Sequence, residues 1–318
     1  MTELRLDFII PTCNRRALLS RTLASVAVAR QTAGIHVGVI VVDNNSTDDT
    51  AGAVQEFART FRGSVRYLQE PRQGKPYALN SGIAAADCDL VALIDDDEEI
   101  HPEWICVAHE TFQDTALDFI GGPCVPRWSG SVPEWLPPSC RGVIGWVDGG
   151  SETKPFGPEF PGMLMGGNAV IRRSVLERCG PYAIDIARTP KRLLSGEDED
   201  MYYRLLASGA RGLYIPGLII YHHVFPERLT KAYFRRWSFW RAVSLSLQAT
   251  RRTESAPQWL GIPRWYYRVA LRGIWKRGRG LAGLSPAAAF EGELDVITLA
   301  GLLYGRHMFK AGGAATGA

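Results

Sequence analysis

Five consecutive acids, Asp95-Asp96-Asp97-Glu98-Glu99, follow directly on the apolar run Val91-Ala92-Leu93-Ile94. A run of that kind suits a buried parallel strand, and a solvated acidic tail is not normally joined to one. On an extended segment side chains i and i+2 share a side, so Asp95 and Asp97 can share a ligand while Asp96 points away. Carboxylates beside phosphate oxygens make a hard-oxygen site that suits Mg2+ or Mn2+. Such a cation would neutralise a departing diphosphate. His222 can complete the set, although a lone histidine at a strand end is more often just a polar terminus. Glu98 and Glu99 read as solvated or capping charges ahead of a helix from Pro102.

Two further acidic stretches accompany this one. Asp43 opens Asp43-Asn44-Asn45-Ser46, which taken alone is turn chemistry. Ser195-Gly196-Glu197-Asp198-Glu199-Asp200 opens a helix with capping-box spacing from Ser195 to Asp198. Capping uses one or two acids, and this start has four.

Strands and helices must carry these groups to one place. Leu4 to Pro11 predicts a strand, and Thr12 or Asn14 a cap for the helix from about Arg16 to Ala29. Val37 to Val42 predicts a second strand, Thr50 to Phe61 a helix, and Val65 to Leu68 a third strand. Gly74 to Ala86 predicts a helix, and Leu90 to Ile94 the fourth strand. Alternation at this spacing implies a parallel sheet with right-handed crossovers. The strands' C-terminal ends then meet at one edge, which brings Asp43 towards Asp95 to Asp97. Leu117 to Gly121 reads as a short strand. Residues 123 to 161, rich in Pro, Gly and Trp, read as a long irregular loop facing substrate, with Trp135 and Trp146 in it. Met163 to Arg172 reads as a strand interrupted by Gly166-Gly167, where a ligand can approach backbone. Beyond Pro226 the chain is helical, aromatic and basic, ending in an apolar helix from about Pro286 to Phe309 and a frayed Gly/Ala-rich tail. That last helix is expected to pack back on the core, while the basic-aromatic stretch suits an anionic membrane surface.

Composition narrows the class. The chain has 318 residues, 46% hydrophobic and 22% charged, which is ample for a core. A net charge of +3 does not suggest a nucleic-acid binder. No apolar run approaches the ~20 residues needed to span a bilayer, and the N-terminus lacks the layout of a signal peptide. Six cysteines without a CxxC pair suggest reduced thiols in a cytoplasmic protein.

The ordered motifs resemble glycosyltransferase family 2, with the GT-A fold. They are Ile9 to Arg15 (Ile-Ile-Pro-Thr-Cys-Asn-Arg), Val41 to Thr50, Gly74 to Gly82, Asp95-Asp96-Asp97, Gly166-Gly167-Asn168, Gly196-Glu197-Asp198 and Tyr221-His222. They cover roughly residues 5 to 240. The resemblance implies a mostly parallel α/β sheet over residues 1–226, with a donor half to about residue 100 and an acceptor half after it. A helical extension would occupy 227–318. It implies a nucleotide-sugar donor, usually UDP-linked, with Asp43 on the nucleobase and Pro11, Thr12, Asn14, Arg15 and Asn45 around the pocket. Arg72, Lys75 and Asn80 would lie along the donor, with Asp95 and Asp96 near the ribose or donor sugar. Asp97 and His222 would bind Mn2+ or Mg2+. Asp198, with Glu197 second, would be the catalytic base of an inverting transfer. Trp135, Trp146, Gly167 and Asn168 would lie on the acceptor or donor-sugar side. The acceptor stays open between a glycan, a lipid-linked glycan, a natural product and a peptide. Processive members carry Gln-x-x-Arg-Trp after the base; here Tyr233 stands in the Gln position, so a single addition is expected.

Two other classes compete. A nucleotidyltransferase would use the same acids but a Gly-rich, basic loop after the first strand, which Pro11-Thr12-Cys13-Asn14-Arg15 is not. A non-catalytic nucleotide-sugar-binding protein would not need Asp43, Asp97 and Asp198 together.

Overall fold

The computed structural model describes residues 3–128, 131–160, 162–185, 193–249, 257–281 and 285–312. The Gly/Ala-rich end from 313 lies outside them. The chain divides into two compact units. The first takes in Met1–Arg127, Trp146–Ala187 and Glu197–His223; the second takes in Trp128–Gly145, Arg188–Gly196 and Val224–Ala318.

The first unit starts with β1 (Leu4–Thr12), α1 (Arg16–Val28), β2 (Ile35–Asp43), α2 (Thr50–Thr60), β3 (Ser64–Gln69), α3 (Lys75–Ala85) and β4 (Leu90–Leu93). It continues with β5 (Glu98–Ile100), α4 (Trp104–Thr111), β6 (Phe119–Gly121), β7 (Cys124–Trp128) and β8 (Lys154–Pro155). After these come β9 (Ala169–Arg172), α5 (Arg173–Cys179), α6 (Glu197–Ala207), β10 (Gly212–Tyr214) and β11 (Ile220–Val224). Eight strands form one sheet in the order β3-β2-β1-β4-β9-β6-β10-β8. The first four strands are parallel, as the alternating pattern predicts. β9 lies antiparallel between β4 and β6, and β8 is antiparallel to β10.

The pattern of β1 explains its central place. Phe8 and Ile10 belong to the apolar layer with Val54, Phe57 and Trp104, while Ile9 belongs to the opposite layer with Leu79, Leu93 and Phe119. Burial on both faces is why these strands read as continuous apolar runs. Each fully buried Phe or Ile contributes about 1.5–3 kcal/mol relative to exposure. Gly82 lets α3 lie close on the sheet, since a Cβ there would sit 2.5 Å from Ile9 Cγ2. Pro11 is tolerated in a central strand because pairing of β1 with β4 ends at Ile9–Leu93. Beyond that point β1 is locally an edge and no ladder N–H is missed.

Three expectations change. Neither Thr12 nor Asn14 caps α1: its N-cap residue is Arg15, without a side-chain bond, and the Arg16 N–H donates to Asp48 Oδ2 at 2.9 Å. Residues Met163 to Arg172 are not one interrupted strand, because Gly166–Asn168 form a 3-10 turn and the strand starts at Ala169. The stretch 123–161 is not wholly irregular: it contributes β7, a 3-10 turn at Pro138–Ile144 and β8.

In the second unit α7 (Lys231–Ala249) is followed by the hairpin β12 (Gln258–Trp259) and β13 (Ile262–Pro263), then α8 (Arg264–Leu281) and α9 (Pro286–Gly312). α9 packs on α7 and α8, around Ala242, Ile262 and Leu302. The α8–α9 approach is backbone to backbone, since a Cβ on Gly292 would sit 2.2 Å from Gly273 O. No helix among the described residues is long and apolar enough to cross a membrane.

Candidate active site

The C-terminal edge of the parallel strands builds the site. Thr12 stands opposite Asp43 in the β1–β2 register, and its hydroxyl donates to Asp96 Oδ2 at 2.8 Å. β4 stops at Leu93, and Asp96 and Asp97 form a turn before β5. The i, i+2 alternation expected for Asp95 and Asp97 therefore does not hold, because the segment is not extended there. Asp95 pairs with Lys75, whose Nζ lies 2.6 Å from Oδ1. Arg15 Nη1 bridges Asp96 Oδ1 and Asp97 Oδ2, each at 2.9 Å. Thr22 Oγ1 holds the turn by donating to Asp96 O at 3.0 Å. Burial pushes the Asp96 carboxyl up to about 6; Arg15 opposes that rise and Asp97 adds to it. Burial lowers the pKa of Arg15, but Asp96 and Asp97 outweigh it and keep the guanidinium charged.

His222 comes to Asp97 as the motif order implies, with Nε2 3.7 Å from Oδ1. The His223 N–H donates to Asp97 O at 2.9 Å. Among the described residues no three His, Cys, Asp or Glu side chains gather to hold a metal by themselves. Asp97 and His222 offer two donors, leaving the remainder of a shell to phosphate oxygens and water, as Mg2+ commonly binds.

Glu98 and Glu99 are not solvated charges before a helix. Both lie in β5, which pairs with β11. Glu98 is buried and its Oε2 accepts the Asp95 N–H at 2.7 Å. Glu99 accepts from Arg127 and pairs with His223. Burial raises the pKa of Glu98 well above the usual range, with Asp95 and Asp97 adding to it.

Asp198 enters from the first turn of α6, a helix start made of four acids. The capping box expected from Ser195 does not form: Ser195 Oγ is buried and has no hydrogen-bond partner among the described residues. The Asp198 carboxyl lies against the Gly166 backbone, where a Cβ would sit 2.0 Å from Oδ1. The residue as a whole is partly exposed, yet Oδ1 is shut off from solvent and has no partner among the described residues. Burial pushes this carboxyl up to about 7, against the charge of Lys75 and with those of Glu197 and Asp95. Burial would lower Lys75, but Asp95, Asp198 and Glu197 raise it well above the usual lysine value. Tyr182 is buried beside them, its hydroxyl held above the ordinary range by burial and then by Asp198.

Other candidates take different places. Asp43 accepts from Ser46 N at 2.7 Å and from the Tyr67 hydroxyl, which burial and Asp43 push up to about 12. Asn14 and Asn45 have positive φ, 54° and 68°, and clasp loops. Asn14 Oδ1 accepts from Thr47 N, and Asn45 Nδ2 donates to Pro71 O. Arg72 is held by Glu70. Asn80 ties α3 to the Tyr182 backbone through both its N and O. Gly167 lies against Glu98. Asn168 does not face a ligand: it is fully buried, accepting from Trp104 Nε1 and donating to Pro123 O and Leu218 O. Trp146 is half-buried beside the Cys124–Val147 bridge of the first unit. Trp135 belongs to the second unit, edge-on to Phe234 and Phe290. Arg235 pairs with Glu293 in that unit.

Sequence reasoning passed over Glu98 and Tyr182. The signal for Glu98 was its place inside an acidic run that directly follows a core strand. Tyr182 had none, since it lies outside every motif.

The family model for glycosyl transferase family 2 matches residues 7–180, more than half of the chain. The chain belongs to glycosyl transferase family 2. A glucosyl-dolichyl phosphate glucuronosyltransferase from Haloferax volcanii is 25% identical over 65% of this chain and 65% of its own length. The chain spans smaller shares of other curated relatives it matches. Among solved structures, a mannosyltransferase from Pyrobaculum calidifontis in complex with GDP-Man and Mn2+ superposes with a TM-score of 0.57. That match has 20% identity and covers 100% of this chain and 77% of the other. GalNAc-T7 with UDP, GalNAc and Mn2+ gives 0.55 at 17% identity, over 77% of this chain and 51% of the other. The mixed α/β sheet with its flanking helices is the GT-A fold.

Proposed function

We propose that the family 2 chain transfers one sugar from a nucleotide-sugar to an acceptor hydroxyl with inversion at the anomeric carbon. The observation that carries this reading is Asp198: a carboxyl held near neutrality, with a buried oxygen unspent, beside the Lys75–Asp95 pair. A base of that pKa suits proton transfer at neutral pH. The Asp198 carboxylate takes the proton of the acceptor hydroxyl while the hydroxyl oxygen attacks the anomeric carbon. The nucleoside diphosphate departs from the opposite face, with Arg15 and Lys75, which pair with the Asp95–Asp97 turn, proposed as the cations that meet it.

The donor is proposed to be UDP-linked, with the nucleobase N–H on the Asp43 carboxylate, which has lone pairs left beyond Tyr67 and Ser46. Asp97 and His222 would hold Mn2+ or Mg2+, and that ion would neutralise the leaving diphosphate. Both structural neighbours described above were solved with Mn2+, which favours this choice. The Haloferax relative is named for a dolichyl-phosphate-linked sugar, so a lipid-linked acceptor is the class proposed.

Incubating the protein with a panel of nucleotide-sugars and Mn2+ tests the reading through slow release of the nucleoside diphosphate. Release should stop with EDTA and return with added Mn2+. Full turnover in EDTA would remove the metal from the proposal, and no release from any donor would count against the transfer itself.

A further inference from the structure

α8 carries six basic residues (Arg264, Arg268, Arg272, Lys276, Arg277 and Arg279) and no acid. Its inner side is settled by Ala270 and Gly273, both buried, with Gly273 against α9. The opposite side shows Leu271, 67% exposed, and Trp275, 62% exposed, one turn on, while exposed Ile274 lies at the flank. Exposed Arg264, Arg268, Arg272 and Arg279 interleave with them at helical spacing. The hairpin β12–β13 continues this face. Trp259 lies under Arg264 and against Tyr267, whose hydroxyl donates to Trp259 O at 2.9 Å. At the hairpin tip Leu260 is 76% exposed and held at φ 49°, a conformation that a side chain of its bulk rarely adopts.

Single exposed apolar residues are ordinary, but a contiguous set marks an interaction surface. We propose that the outward face of α8, extended by the Trp259–Leu260 tip, docks in the plane of an anionic lipid surface. The charge pattern selects this occupant. Arginines of one sign complement anionic headgroups and can keep their guanidinium groups among them while their stems lie along apolar surface. Leu271 and Leu260 then enter the acyl boundary, and the tryptophans sit at headgroup level, where indole is favoured. A single-stranded nucleic acid would use the arginines and tryptophans but leave the aliphatic side chains in water. The inference goes beyond the transfer chemistry and does not rest on it, so Asp198→Asn should bind vesicles as the unaltered chain does.

Sedimentation of the full chain with vesicles tests it. The protein should pellet with phosphatidylcholine vesicles containing phosphatidylglycerol and stay free of vesicles of phosphatidylcholine alone. Tryptophan emission should shift to the blue on binding. Salt should release the protein, since the Debye length falls to about 3 Å at 1 M. R268A/R272A should lower the partition coefficient about 25-fold, about five-fold per charge. L271S/W275S should abolish the blue shift; both variants should keep the melting curve of the parent, because the altered side chains are exposed. Equal binding to neutral vesicles, or none to either, overturns the proposal. It is also overturned if the chain binds an RNA oligonucleotide but not vesicles. A dimer dispersed by L271S/W275S without vesicle binding would assign the face to a second copy.

Discussion

Asp198 sits where two demands conflict, and its titration exposes the conflict. In the proposed role of base it must be ionised, so with a pKa of about 7 the transfer rate should rise with pH through neutrality and level off above it. Asp198→Asn should lower kcat by about 10²–10⁴-fold while leaving nucleotide affinity near its original value. A rate unchanged in that variant, or a flat profile from about pH 5 to about pH 9, would remove Asp198 from the role. Stability should move the other way. The folded value lies above the unfolded carboxylate value of about 3.9, so the folded chain binds the extra proton between the two. Stability is then lost as pH rises through that window. The Asn variant escapes the loss and should gain about 1–2 kcal/mol at pH values near 8, discounted because the residue is partly solvated. At pH values near 4 the gain should vanish; melting curves at the two pH values compare them, and an equal change at both would refute the argument.

The elements matter through how closely they let backbones approach. Gly166 holds the 3-10 turn against Asp198, so Gly166→Ala should displace the Asp198 carboxyl rather than unfold the sheet. We expect kcat to fall about 10²-fold, with nucleotide affinity and far-UV dichroism unchanged. Lost nucleotide binding in this variant would mean that the turn serves the donor instead. In the second unit Gly292→Ala would force α8 and α9 apart, since a Cβ there meets Gly273 O. Overpacking of that kind costs about 1–3 kcal/mol, to be read from denaturant midpoints. The strands of the parallel half were legible because both-face burial writes apolar runs into the sequence. β9 was harder to read. Its direction is set by its neighbours β4 and β6, and four residues carry no sign of which way they run.

At the scale of the molecule the second unit is not only the C-terminal extension. It draws in Trp128–Gly145, whose Trp135 packs on Phe234 of α7 and Phe290 of α9. A chain ended at residue 226 would leave that ring without these partners. It should accumulate as insoluble protein, whereas Trp135→Ala should fold with a loss of about 1–3 kcal/mol. A soluble, fully folded truncation would show that the segment 128–145 has its own support.

What the sequence determined by itself was everything local in origin: the strand–helix alternation, the acidic runs at strand and helix ends, and the family through the order of its motifs. Those features depend on periodicity and on residue type, which need no partner to be read. What the tertiary structure decided was pairing. Asp95 and Asp97 read as a pair sharing one ligand on an extended segment, yet the turn gives Asp95 to Lys75 and shares Asp96 and Asp97 through Arg15. Glu98 went behind them, under Gly167. Asn168 was legible as a motif residue, but its amide was spent on Trp104, Pro123 and Leu218. A carboxylate or an amide goes wherever donors and burial place it, and those donors came from residues far apart in the chain.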